Sequence, residues 1–195
     1  MFSSTKKELE GMFVDLSTVK FTSDTLEFND YPFEPSIAFR KKKFTPSEIE
    51  SVDFSSHPPA VKIGNELLFV SSSLKGDLMT FVKQNNIKII ERPDIWSWIL
   101  EPFLDTIFSD ENNQFLSLKL SQHGFSEAFI FSLREEIEIQ MLRYNFDTML
   151  WEWIHLGLKD VLCAMRVKYD KTKFKEFYSK AMEIALTKPI ENKID

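Results

Sequence analysis

Residues 147–166 read Asp-Thr-Met-Leu-Trp-Glu-Trp-Ile-His-Leu-Gly-Leu-Lys-Asp-Val-Leu-Cys-Ala-Met-Arg, and most of the side chains between the two ends are apolar. Asp147 can accept hydrogen bonds from the free amides of a first helical turn, which is typical of an N-cap. Glu152, His155 and Lys159 recur at i, i+3 and i+7, which places them on one stripe of a helix. Because a helix that is apolar on its other sides is normally surrounded by neighbours, the sequence predicts a continuous helix over 147–166 at the centre of a helical core.

The composition is that of a folded protein. Of the 195 residues, 43% are hydrophobic and 28% charged, and 19 are Phe, which argues against global disorder. This length suits one large domain or two small ones. The formal net charge is −6 and the sequence pI is about 5.2. Because an acidic chain repels phosphate backbones and anionic lipids, we expect no nucleic-acid partner.

Three features indicate a cytoplasmic protein. Cys163 is the single cysteine, so no intramolecular disulfide can form, and we interpret it as a small core residue in a reducing compartment. The N-terminal residues show no apolar run followed by a small-residue cleavage site, so we expect no signal peptide. No stretch reaches the roughly 20 uninterrupted apolar residues of a membrane span, so we expect no span.

The N-terminal part has the composition of β-strands, rich in β-branched and aromatic residues between turn signals. Gly64-Asn65 is a candidate two-residue hairpin turn, because both residues tolerate positive φ. A helix over 74–86 follows, and Ile87–Ile90 is either one more short strand or an extended connector. The predicted strands are Met12–Leu16, Val19–Phe28, Ser36–Phe44, Ser51–Ser55 and Ala60–Ser72.

This order of strands followed by a closing helix is similar to the small pleckstrin-homology-like barrel, although small β-rolls of other families share it. By that analogy, the basic run Arg40-Lys41-Lys42-Lys43 would contact an anion or a phosphoinositide. Four charges at a strand end are more typical of a sheet edge protected against aggregation, and we favour this second interpretation.

From Asp94 onward the pattern is helical. Pro102 predicts a kink or break near Glu101, because it removes one backbone hydrogen bond, and Gly124 is a predicted left-handed helix stop. We therefore predict an α+β fold, with a β-rich N-terminal module over 1–90 and a C-terminal bundle of about five helices over 91–195. The predicted helices are 95–108, 109–122, 126–144, 147–166 and 171–187.

Several familiar catalytic and cofactor motifs are missing. The chain has only 5 Gly, and none has the spacing of a phosphate-binding loop or a dinucleotide fingerprint. It also lacks a Gly-x-Ser-x-Gly nucleophile elbow and a paired-cysteine metal site. We therefore predict no cofactor.

Glu152-x-x-His155 has the spacing of the carboxylate-bridged metal sites of helical bundles. Those sites use two such pairs and further glutamates, whereas this chain has one pair. The simpler interpretation is a solvated stripe on an otherwise buried helix. The metal-site alternative would use Glu101, Asp105, Glu136, Glu152 and His155.

A third interpretation is a polar network inside the bundle. Charged side chains on a mainly apolar helix cost several kcal/mol if they are buried without partners, so covered ones should pair with one another. Such a network could orient a small polar ligand or lock the bundle. Its predicted members are Glu101, Asp105, Arg134, Tyr144, Asn145 and His155.

The remaining histidines, His57 and His123, lie in turns, and we interpret them as surface or capping residues. We interpret the tryptophans as core, although they could equally support a homo-oligomer. The leading hypothesis is a non-catalytic protein that binds a protein partner or a small polar ligand. The alternative is a metal-binding protein or an enzyme that uses the acidic and histidine residues of the bundle. The tryptophans are Trp96, Trp98, Trp151 and Trp153.

Overall fold

The computed structural model describes residues 5–104, 110–147 and 155–190. Its fold is α+β, as predicted, with antiparallel strands followed by about five helices. The chain groups into two compact units. The helical unit comprises residues 1–12, 94–168 and 183–195, and the β-rich unit comprises residues 13–93 and 169–182. The β-rich unit thus includes a C-terminal segment that the prediction placed in the bundle, and the division of the chain into domains over 1–90 and 91–195 stays a prediction.

The strands of the β-rich unit form two antiparallel sheets of three strands each, with orders β1-β2-β3 and β4-β5-β6. The Gly64-Asn65 hairpin is confirmed, because Ile63 pairs with Glu66 and Gly64 has a φ of 54°. The strands are β1 (Val19–Phe21), β2 (Leu26–Tyr31), β3 (Arg40–Phe44), β4 (Ser51–Asp53), β5 (Ala60–Ile63) and β6 (Glu66–Phe69).

Two details of the predicted β-module are wrong. The two sheets do not close into a barrel, so the resemblance is limited to the order of strands and helix. Residues 13–16 form no strand, although they have strand composition.

The 87–90 segment is an extended connector, and it pairs with β4 through the isolated bridge between Val52 and Ile89.

The basic run Arg40–Lys43 lies on an edge strand, in agreement with the interpretation that we favoured. It occupies β3, the outer strand of the first sheet, and residues 40–43 are all exposed. Lys41 and Lys43 form ion pairs with Glu27 on β2, at 3.0 and 3.3 Å. Because two of the charges already have a carboxylate partner, this run serves edge protection well. The phosphoinositide contact stays a prediction.

Glu66, at the start of β6, connects three parts of the β-rich unit through its carboxylate. It accepts hydrogen bonds from the Ser36 hydroxyl at 2.7 Å, from the Ile37 amide at 3.1 Å and from the Tyr178 hydroxyl at 2.9 Å. A carboxylate that receives several donors is held in one position. The loop before β3 and the 169–182 segment therefore share one polar anchor.

Four of the six predicted helices, those over 74–86, 109–122, 126–144 and 171–187, begin and end within three residues of the predicted positions. Residues 101–103 form a 3-10 turn at Pro102, which confirms the predicted break, while the predicted resumption to residue 108 lies mostly outside the described residues. The helices are α1 (Lys6–Met12), α2 (Lys75–Gln84), α3 (Ile95–Leu100), α4 (Asp110–Gln122), α5 (Glu127–Asp147), α6 (Leu158–Lys168) and α7 (Lys171–Leu186). None of these described helices is both long enough and apolar enough to cross a membrane.

The predicted central helix over 147–166 is wrong in two respects. Asp147 belongs to α5 and is not an N-cap, and residues 155–157 are not helical. Residues 148–154, including Glu152, lie outside the described residues. The helix that does form is α6, and its side chains from Val161 to Met165 are fully buried.

Helix α1 approaches α6 closely at a glycine. A Cβ atom added to Gly11 would lie 2.6 Å from Cγ1 of Val167, a distance that real Cβ contacts essentially never show. Met12, the next residue, is buried. The missing side chain at Gly11 is therefore what permits this contact within the helical unit.

We expect Gly11→Ala to lower the free energy of unfolding by about 1–3 kcal/mol, because it overpacks the contact with Val167. Gly76→Ala is the matched control, since Gly76 is also helical and a Cβ there meets nothing within 4 Å. The control should raise stability by about 0.5 kcal/mol through helix propensity. Urea unfolding of both variants measures the difference, and a gain in stability for Gly11→Ala would contradict the close contact.

Candidate functional site

A buried carboxylate organises one end of the helical unit. Asp160 is 1% exposed. Its Oδ1 accepts from the Tyr144 hydroxyl at 3.0 Å and from the Lys159 ammonium at 3.2 Å. Its Oδ2 accepts from the Gly157 amide at 2.9 Å, and the Lys159 ammonium also donates to the Tyr144 hydroxyl at 3.1 Å. Both oxygens of the carboxylate are therefore used within the protein.

The electrostatics of this network favour a neutral phenol at Tyr144 and a charged ammonium at Lys159. Burial and the Asp160 carboxylate raise the pKa of Tyr144 far above its ordinary value. Burial opposes protonation of Lys159, but the charge and the hydrogen bond of Asp160 favour it, and the pKa of the ammonium lies above its ordinary value. Burial also raises the pKa of Cys163 to about 12, so this thiol is unreactive.

The same carboxylate explains where α6 begins. The Gly157 carbonyl accepts from the amides of Asp160 and Val161, at 3.0 and 3.2 Å, so Gly157 is the N-cap. Asp160 at N3 returns the bond to the Gly157 amide, which is one half of a capping box. The pair Gly157-x-x-Asp160 is a local sequence signal for a helix start. The apolar residues around it favoured one continuous helix, so the prediction over 147–166 did not use this signal.

His155 and Asp94 form a second, more exposed pair. His155 Nε2 lies 3.1 Å from Asp94 Oδ2, and the two side chains are 36% and 34% exposed. Asp94 is also the N-cap of α3, where it accepts from the Ser97 amide at 3.0 Å. The hydrogen bond to Asp94 raises the pKa of His155, against burial, with smaller contributions from Asp160 and Glu101.

Arg134 and Asn145 on α5 satisfy carbonyl groups at the break after α3. Arg134 donates through Nε to the Ile99 carbonyl at 3.0 Å and through Nη2 to the Trp98 carbonyl at 3.2 Å. Asn145 donates to the Phe103 carbonyl at 3.0 Å. The last carbonyls of a helix have no partner within it, so these two side chains replace the bonds that the break at Pro102 removes.

A pocket of about 290 Å³ lies between α4 and α5, and we name it the α4–α5 pocket. The turn that joins α4 to α5 beside this pocket is a Schellman motif. The Gly124 amide donates to the Ser121 carbonyl at 2.9 Å, and the Phe125 amide donates to the Leu120 carbonyl at 3.1 Å. Gly124 has a φ of 85°, as the predicted stop requires. The pocket is lined by Asn113, Ser117, Leu120, Phe125, Glu127, Ile130, Phe131 and Arg134.

The predicted polar network is divided in the structure. Tyr144 joins Asp160, His155 joins Asp94, and Arg134 and Asn145 bind backbone carbonyls, as described above. Asp105 lies outside the described residues. The charge of Glu101 contributes to the raised pKa of His155. The predicted network did not include Asp94 or Asp160, because the helical stripe that suggested it contained Glu152, His155 and Lys159 but not these two residues.

The described residues contain no group of three or more His, Cys, Asp or Glu side chains that could hold a metal ion. Glu136, one predicted ligand, accepts a hydrogen bond from Lys168 through its backbone carbonyl. Asp105 and Glu152, two further predicted ligands, lie outside the described residues. The metal-site alternative therefore stays a prediction.

His123 is a capping residue, one of the two roles we expected, and it is buried instead of on the surface. It is 7% exposed, and its ring packs against the Trp98 ring with centroids 5.2 Å apart. Its Nδ1 lies 2.9 Å from the Lys119 carbonyl, at the end of α4. His57, in contrast, is exposed, as expected, and Trp96 is a core residue. Trp151 and Trp153 lie outside the described residues.

Comparisons with known proteins assign no family to this chain. No protein-family model, no curated protein and no solved structure gives a significant match.

We expect Asp160→Ala to lower the free energy of unfolding by about 3–5 kcal/mol, because it leaves Lys159 charged and largely buried without its carboxylate. Tyr144→Phe should cost about 1–2 kcal/mol, since Asp160 keeps its other donors. Asp170→Ala is the control, because Asp170 caps α7 as an exposed carboxylate, and a lost cap costs about 1 kcal/mol. Urea unfolding measures all three values. An Asp160→Ala loss no larger than that of the control would contradict the network.

The His155–Asp94 pair predicts a pH dependence. Because the pKa of His155 is raised above its ordinary 6.5, its stabilisation is complete below about pH 6.5 and is lost as pH rises through the folded pKa. His155→Gln should therefore cost stability at pH 6 and little at pH 8.5. For a pair this exposed we expect at most about 1 kcal/mol.

The histidine pKa is measured by NMR titration of the imidazole protons. Asp94→Asn is the matched variant, because an Asn side chain can still cap α3 but has no charge. It should move the pKa of His155 back toward 6.5. An unchanged pKa in this variant would show that Asp94 is not the cause.

Proposed function

We propose that the protein binds a small anionic ligand in the α4–α5 pocket and does not catalyse a reaction there. One observation carries this proposal: the Arg134 guanidinium lines the pocket, and in the described part of the chain it has no carboxylate partner. Its two hydrogen bonds use Nε and Nη2, which leaves Nη1 available to a ligand. Burial lowers the pKa of Arg134, and no described carboxylate acts on it.

The half-buried Arg134 guanidinium has lost part of its hydration, and no residue in the described ranges gives it a counter-charge. A bound anion would supply that charge through charge-assisted hydrogen bonds, and guanidinium groups suit carboxylates and phosphates. The backbone bonds to Ile99 and Trp98 hold the Arg134 side chain in place before any ligand arrives. Such pre-organisation lowers the entropic cost of binding.

The rest of the pocket suits a partly apolar ligand of modest size. Leu120, Phe125, Ile130 and Phe131 provide apolar lining, and the volume of about 290 Å³ is close to the lower end of the range of small-molecule pockets. Phe131 is 64% exposed, so its ring stands at the open side. A ligand with an apolar body and one anionic group matches this lining.

The chemistry of the lining supports binding and not catalysis. The described lining contains no His, Cys or Lys, so the Ser117 hydroxyl has no histidine or amine to activate it as a nucleophile. The Tyr144–Lys159–Asp160 network is a weaker ligand site, because its donors and acceptors already bind one another. The metal-binding or enzymatic alternative, which would use Glu101, Asp105, Glu136, Glu152 and His155, stays a prediction.

A reducing, cytoplasmic location is part of the same proposal. It is supported by Cys163, the single cysteine of the chain, which is free and fully buried. The acidic composition supports a small-molecule ligand over a nucleic acid.

Isothermal titration calorimetry with octanoate and with its neutral counterpart octanamide tests the proposal. We expect octanoate to bind about 10-fold more tightly than octanamide, since one charge-assisted hydrogen bond contributes at least about 1.4 kcal/mol. Arg134→Gln should remove this preference. Arg143→Gln is the matched control, because Arg143 is on the same helix and does not line the pocket.

Arg134→Gln also weakens the contacts to α3, so a second variant is needed. Ser117→Phe fills the pocket from α4 and leaves both Arg134 hydrogen bonds intact. It should abolish octanoate binding while the melting temperature is kept. Equal binding of octanoate and octanamide, or full binding by Ser117→Phe, would overturn the proposal.

A further inference from the structure

The α4–α5 pocket carries opposite charges at its two ends. Glu127 and Arg134 both line it, and both are on α5. Seven residues correspond to almost two full helical turns, so the two side chains leave the same face of the helix. They are separated by about 10.5 Å along the helix axis.

The Glu127 carboxylate and the Arg134 guanidinium do not pair with each other. No ion pair joins Glu127 to a cation in the described part of the chain, and Arg134 experiences no charge effect from Glu127. Glu127 is exposed in the first turn of α5. The end of a helix carries only about half a unit of positive charge, so the full negative charge of Glu127 makes this end of the pocket net negative.

The region between the two charges combines apolar and hydrogen-bonding surface. Leu120 and Ile130 are buried. Asn113 and Ser117 project from α4 four residues apart, hence on one face, and neither side chain makes a hydrogen bond to another described residue. An amide and a hydroxyl that face an apolar cleft are suited to the backbone groups of a peptide.

We propose that the ligand of the α4–α5 pocket is a short linear peptide with free termini, about three residues long. Its carboxylate binds Arg134, its ammonium binds Glu127, and its backbone contacts Asn113 and Ser117. Three extended residues span about 10 Å, which matches the separation of the charges along α5. This inference rests on the proposed function, since it assigns the ligand's anion to Arg134.

The charge pattern distinguishes this ligand from simpler anions. A fatty acid would satisfy Arg134 but would leave Glu127 without a partner and would place methylene groups against Asn113 and Ser117. A dicarboxylate would bring like charges together at Glu127, which disfavours binding. A zwitterion with an amide backbone satisfies all four side chains at once.

Calorimetry of the full chain with the tripeptide Leu-Ala-Leu tests the inference. The probes are the free peptide, its N-acetylated form and its C-amidated form. We expect the free peptide to bind about 10-fold more tightly than either blocked form, because each block removes one charge-assisted contact. Leu-Leu and a five-residue peptide should bind more weakly than the tripeptide, since their spans of about 7 and 17 Å do not fit the spacing.

Two variants assign the ends of the peptide. Glu127→Gln should make the free and N-acetylated peptides bind equally, while the C-amide stays weaker. Arg134→Gln should produce the reverse pattern. Glu135→Gln is the control, because Glu135 is exposed on the same helix and does not line the pocket; it should leave all three affinities unchanged.

The outcomes separate this inference from the proposed function. Equal binding of the free and N-acetylated peptides to the wild type, or binding of octanoate with no binding of the tripeptide, would overturn the peptide inference and leave the anion site standing. Equal binding of the free and C-amidated peptides would overturn the peptide inference and also contradict an anion contact at Arg134.

Discussion

The helical unit depends on a carboxylate that is almost inaccessible to water. Asp160 is 1% exposed, and burying a charge without partners costs several kcal/mol. The chain meets this cost with a phenol, an ammonium and a backbone amide, all within 3.2 Å of the carboxylate oxygens. Because one of these donors is the amide of Gly157, the same carboxylate determines where α6 begins and keeps residues 155–157 out of the helix.

A second constraint comes from the break at Pro102. The interruption of helix after α3 leaves backbone carbonyls without helical partners, and two side chains of α5, Arg134 and Asn145, donate to them. This structural role has a consequence for binding. The two hydrogen bonds to carbonyls hold the Arg134 guanidinium beside the α4–α5 pocket without neutralising its charge. The same guanidinium therefore satisfies backbone carbonyls and offers a donor to a ligand.

Local signals predicted much of the fold. The helix predicted over 126–144 forms within α5, and the Gly64 and Gly124 turns occur where positive φ was expected. The prediction for 147–166 failed because hydrophobic periodicity outweighed a capping pair within it. The polar site was predicted only in part: four of its residues do make polar contacts in the structure, but with Asp94, Lys159, Asp160 and backbone carbonyls instead of with one another.

The sequence by itself therefore determined the α+β class, the identity of most helices and strands, and the turns between them. These features follow from backbone propensity and from periodicities that extend over a few residues. Only the tertiary structure decided which polar groups meet. Tyr144 reaches Asp160 across 16 positions, and Arg134 reaches the Ile99 carbonyl across 35. Such partners are selected by helix packing and by the need to satisfy buried charges and carbonyls, and no short stretch of sequence contains that information.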